Sequence, residues 1–102
     1  MLKRKILADK ATCSVTFTID SATAREAKAA AVVGSFNNWD ATAHPMKRLK
    51  NGTFATTVNL PRGESHQFRY LIDESRWEND ATADNFVPTP FGDSSNCVVD
   101  LH

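Results

Sequence analysis

Apolar and polar positions alternate with period two along much of the chain, the pattern of strands that bury every second side chain on one face. Cys13, Val15, Phe17 and Ile19 alternate with Ser14, Thr16 and Thr18 and predict a half-buried strand. Phe54, Val58 and Leu60 share a face with Thr56, while Ala55, Thr57 and Asn59 take the opposite one. Pro61-Arg62-Gly63-Glu64 then reads as a turn. After it Phe68, Tyr70 and Ile72 form one face and Gln67, Arg69 and Leu71 the other. The hairpin so defined predicts an antiparallel sheet with one buried side, with Tyr70 and Phe17 in the core and Arg69 pointing away from it. Asp73-Glu74-Ser75 makes another turn, leading into Arg76-Trp77, and Cys97 to Leu101 closes the chain as a terminal strand. Asn51-Gly52 is a strong hairpin dipeptide between Met46 to Leu49 and Thr53 to Leu60.

One stretch sets local propensity against tertiary pairing. Ala22 to Ala31 is the best intrinsic helix former in the chain, yet a helix there would offer the core only alanine methyls. We therefore assign Lys28 to Val33 to a strand and Ser21 to Ala27 to a loop or a single helical turn. Gly34 ends that strand, and Phe36-Asn37-Asn38-Trp39-Asp40 forms a polar corner with two large aromatics embedded in it. Seven or eight short strands at this spacing predict an all-β fold, an immunoglobulin-like antiparallel β-sandwich.

Composition narrows the functions. At 102 residues the expectation is a single domain over 1–102, with 1–11 as an N-terminal extension. Twelve Lys and Arg against twelve Asp and Glu give zero net charge, which argues against nucleic-acid and membrane-surface partners, since both favour a basic excess. The first nine residues lack the apolar core of an export signal, so a soluble, cytoplasmic protein is expected, with Cys13 and Cys97 reduced. His44, His66 and His102 stand apart from any metal-ligand spacing, and no cofactor is implied. Asp73, Glu74, Glu78, Asp80 and Asp84 supply carboxylates, but nothing marks two of them as an opposed catalytic pair. No nucleophile elbow or glycine-rich phosphate loop occurs, and the reading is non-catalytic.

Several segments together carry a family resemblance. They are Val33-Gly34-Ser35-Phe36-Asn37-Asn38-Trp39-Asp40, Pro45-Met46-Lys47-Arg48, Asn51-Gly52-Thr53-Phe54, His66-Gln67-Phe68-Arg69-Tyr70-Leu71-Ile72-Asp73, Trp77, Pro90-Phe91-Gly92 and Asn96-Cys97-Val98-Val99. In this order they resemble the glycogen-binding domain of the AMP-activated protein kinase beta subunit and the N-terminal domain of isoamylases and branching enzymes, carbohydrate-binding module family 48. The resemblance covers roughly residues 13 to 101. It implies an early-set β-sandwich that recognises α-1,4-linked glucans such as glycogen, starch or maltooligosaccharides. It also implies a role in targeting or regulating a partner glucan-metabolising enzyme.

The resemblance places two sugar-stacking tryptophans at Trp39 and Trp77, a sugar-contacting cation at Arg69 where the family has lysine, and a hydroxyl-bridging asparagine at Asn96. Phe91 stands where the kinase-subunit pattern has a leucine, and Ser94 is its hydroxyl candidate in a loop one residue longer. A flat indole suits the apolar face of a pyranose: burying about 60–100 Å² at about 25 cal/mol/Å² contributes roughly 2 kcal/mol per ring. Two such rings and a few hydrogen bonds, less ordering costs, correspond to about 5 kcal/mol and a Kd of about 0.1–1 mM. The alternative function is a protein-interaction or regulatory scaffold that keeps the sandwich without binding sugar. Retention of Trp39, Trp77 and Asn96 together disfavours it.

Overall fold

In a computed structural model, which describes residues 2–8, 11–25, 27–89 and 95–101, the chain forms two antiparallel sheets. The first holds β1 (Leu2–Ile6), β2 (Thr12–Ile19), β5 (Phe54–Pro61) and β4 (Lys47–Arg48) in the order β1-β2-β5-β4. The second holds β3 (Ala30–Gly34), β6 (Ser65–Ile72), β9 (Ser95–Asp100) and β8 (Asn85–Pro88) in the order β3-β6-β9-β8, with β7 (Arg76–Glu78) paired to β6. The expected all-β sandwich is the fold. The buried residues of β2 and β5 face those of β6 across it: Phe17, Phe54, Phe68 and Tyr70 are fully buried, with the Phe17 and Phe68 rings 4.9 Å apart edge to face.

The turns follow the residues expected to make them. Leu49 and Thr53 bond across Asn51-Gly52, where Gly52 takes φ 85°. Ser21–Ala24 forms a single helical turn (α1) capped by the Asp20 carboxylate on Thr23 N. The strand expected from Lys28 begins instead at Ala30, because the backbone N–H groups of Lys28 and Ala29 both donate to the Asp73 carboxylate rather than to a neighbouring strand. Those two bonds hold the Asp73 carboxyl below the usual carboxylate range.

Leu2–Ile6, within the stretch treated above as an extension, is an edge strand paired along its length with β2. Arg4 fastens it to the opposite sheet: its guanidinium forks onto Asp84 at 2.7 and 2.8 Å and also donates to Asp100 O. Cys13 and Cys97 are both free thiols in the core, where burial pushes Cys97 up.

Among the described residues two polar side chains are buried, His66, whose Nε2 lies 3.2 Å from Pro61 O, and Asp80. Asp80 is the more heavily bonded. Its carboxylate accepts from Tyr70 Oη at 2.7 Å and from Thr82 N and Oγ1, and its backbone N–H donates to Cys97 Sγ. Burial opposes its ionisation, yet hydrogen bonds, those from Thr82 and Tyr70 among them, hold the carboxyl below its ordinary value. Burial and the neighbouring Asp80 push the Tyr70 phenol far up, so it stays a donor.

A carboxyl with a depressed folded pKa contributes stability above its unfolded value, near pH 4, and loses it as pH falls through the folded value. The unfolding midpoint is therefore expected to hold from neutral pH to about pH 5 and to drop below about pH 4. Tyr70→Phe removes one of the bonds that depress Asp80. The gap in midpoint between wild type and this variant should then narrow as pH is lowered; a gap that widens in acid would contradict the assignment.

Candidate functional site

Strand β6 has two faces. With Phe68, Tyr70 and Ile72 committed to the core, Gln67, Arg69 and Leu71 lie on the outer face of the second sheet. In register, Ala31 lies opposite Leu71 and Val33 opposite Arg69 on one side of β6. On the other side Trp77 lies opposite Leu71, and Val98 opposite Gln67. Ala31, Val33 and Leu71 form a small buried cluster of their own on this face. The outer face thus has an apolar floor beside a polar row, the combination that a sugar's apolar ring faces and hydroxyl rim call for.

Trp77 stands on this face 44% exposed, and Trp39 is 42% exposed. β3 and β7 flank β6 on opposite sides, about 10 Å apart at two strand spacings. Trp77 rides on β7 itself, and Trp39 follows the end of β3.

The loop that presents Trp39 is built by its own sequence. After Gly34 the chain makes a 3₁₀ turn over Ser35–Asn37, and Asn38 and Trp39 both take left-handed backbone, φ 56° and 58°. Two successive non-glycine residues in that region are costly and need fastening. Asn37 supplies it: its side-chain oxygen accepts from Gly34 N, while its amide nitrogen donates to Val32 O and to His44 Nδ1. Trp39 N bonds back to Gly34 O at 2.9 Å. Asp40 then accepts from Thr42 N and Oγ1, bonds that hold its carboxyl below the usual range. Phe36 turns inward and stacks on Phe17, anchoring the loop to the core.

Arg69 points outward as the alternation predicts, and its guanidinium carbon lies 5.3 Å from the centre of the Trp77 ring. Its Nε donates to Asn79 Oδ1 at 3.3 Å. Asn96, beside it on β9, donates from Nδ2 to Gln67 Oε1 at 3.1 Å. The fold therefore gathers Arg69, Trp77 and Asn96 on one face. Phe91 and Ser94 lie outside the described residues.

Three partners had not been singled out by sequence: Asn37, Gln67 and Asn79. Only Gln67 carried a usable signal, its place on the same face as Arg69; the asparagines were visible merely as polar neighbours of the tryptophans. Among the described residues no group of His, Cys, Asp and Glu is arranged to hold a metal ion, and no helix is long and apolar enough to cross a membrane.

Residues 17–99 match the family described as the glycogen recognition site of AMP-activated protein kinase. Over 51 residues the chain is 43% identical to the 1,4-alpha-glucan branching enzyme GlgB of Pseudomonas putida, a stretch covering 47% of this chain and 7% of that enzyme. Over 46 residues it is 39% identical to the corresponding enzyme of Vibrio cholerae, covering 44% of this chain and 6% of that one. The matched stretches are thus a small fraction of the length of these curated relatives.

Proposed function

The chain belongs to the family of the glycogen recognition site of AMP-activated protein kinase, and from that premise we propose that it is a non-catalytic module binding α-1,4-linked glucans through the outer face of its second sheet. The observation that carries this reading is the pair of exposed indoles, Trp39 and Trp77, beside the two elements that flank β6, with Arg69 and Asn96 as hydroxyl partners. In this reading one pyranose stacks on each indole. The polar row supplies the hydrogen bonds that orient the chain of sugars, and a neutral ligand matches the absence of net charge.

Submillimolar to millimolar affinity for one segment is weak, and it becomes useful when the same polymer offers many segments or when the module is tethered to its partner. We accordingly assign it the role of holding a glucan-metabolising enzyme on its substrate. Titration with maltoheptaose, followed by nuclear magnetic resonance, should shift the indole N–H signals of both tryptophans saturably, with Kd of about 0.1–1 mM. No shift at about 10 mM ligand would overturn the reading in favour of a protein-binding scaffold.

A further inference from the structure

Strand β6 changes partners along one edge: Ser65 to Phe68 pair with β9, whereas Tyr70 to Ile72 pair with β7. Arg69 sits at this fork, and the side chain that spans it is Asn79, the residue after β7. Asn79 Oδ1 accepts from Arg69 Nε, and Asn79 Nδ2 donates to Ser95 O at the start of β9, at 3.1 Å. We propose that Asn79 is a positioning residue of the glucan site, holding the Arg69 guanidinium against the Trp77 indole.

The bonding pattern explains the division of labour. A free arginine on a sheet face samples many rotamers, and ordering it on ligand binding costs free energy. With Nε committed to Asn79 and the guanidinium carbon over the indole, that cost is met before the sugar arrives. The two terminal amino groups are not used by this bond and remain to donate to hydroxyls, in the planar fork that distinguishes Arg from Lys. Asp80 secures the same loop from inside through Tyr70 and Cys97, so Asn79 is not needed to hold the loop to the core. Its side chain is exposed, and its replacement should leave the fold intact.

The proposal rests on the glucan-binding reading, and the variants separate the two. Maltoheptaose affinity would be measured by calorimetry for Asn79→Ala, Asn79→Asp, Arg69→Ala, Trp77→Ala and the double variant Asn79→Ala with Arg69→Ala. Asn79→Ala should weaken binding about two- to fivefold, the scale of an exposed cation–π contact. Asn79→Asp keeps an oxygen for Arg69 Nε but loses the donor to Ser95 O, and it should restore affinity. In the Arg69→Ala background Asn79→Ala should cost nothing further, because its effect passes through Arg69.

Unchanged affinity in Asn79→Ala, an equal loss in the Arg69→Ala background, or an Asp variant as weak as the Ala variant would each overturn the proposal while leaving the glucan site standing. Wild-type affinity in Trp77→Ala would instead overturn the site itself. In the ligand-free protein the Arg69 Nε–H resonance should move in Asn79→Ala and far less in Asn79→Asp; similar movement in both would count against the contact.

Discussion

Trp77→Ala is expected to weaken binding of maltoheptaose about 30-fold, the equivalent of the roughly 2 kcal/mol assigned to one stacked ring. The indole is 44% exposed, so most of what it contributes to the free protein is surface rather than core, and the variant should unfold within a few degrees of wild type. Its loss is felt twice at the site. The apolar plane disappears, and the guanidinium that lay 5.3 Å from the ring centre loses its support while keeping the bond to Asn79. Because the substitution deletes a fluorophore, calorimetry or retardation in a glycogen-containing gel is the suitable measurement. Affinity within threefold of wild type in a folded variant would show that sugar does not stack at β7.

The parts of the fold that could be read from sequence are those where burial enforces alternation. β2 and β6 bury every second residue against each other, and their periodicity is unbroken from Cys13 to Ile19 and from His66 to Tyr70. β1 and β8 escaped notice for the opposite reason. Both are edge strands whose residues are nearly all exposed or half-exposed, so no apolar face is written into Leu2–Ile6 or Asn85–Pro88. Their pairing is supplied by backbone hydrogen bonds and, for β1, by the Arg4 fork onto Asp84, a contact between residues far apart in sequence.

The same distinction runs through the candidate site. The outward aim of Arg69 follows from period two, and the exposure of Trp39 and Trp77 follows from their polar surroundings. The partners that fix them do not announce themselves, because Asn79 reaches Ser95 only once β6 has divided its edge between β7 and β9.

Gly34→Ala should destabilise the protein by about 3 kcal/mol and disable the Trp39 platform with it. The cause is contact rather than backbone conformation, since φ −163° is extended geometry open to any residue. A Cβ built there would stand 2.4 Å from Gln67 O and 2.7 Å from Phe36 Cε2. The Phe36 ring could yield by a rotation, but Gln67 O belongs to the backbone of β6, and moving it disturbs the strand that carries Arg69. Gly34 also takes part in two of the bonds that hold the left-handed corner, its N–H donating to Asn37 Oδ1 and its carbonyl accepting from Trp39 N. Displacing β3 from β6 therefore displaces the corner that carries Trp39.

For a domain of this size a loss of about 3 kcal/mol corresponds to a fall in Tm of roughly 10–20 °C. Gly63→Ala is the matched control. Nothing lies within 4 Å of the added Cβ, so only its φ of +85° is penalised, and it should cost about 1 kcal/mol without affecting sugar binding. A Gly34→Ala protein that melts within a few degrees of wild type and binds maltoheptaose equally well would show that the corner can relax around the added methyl, and that the close approach of β3 to β6 does not govern where Trp39 stands.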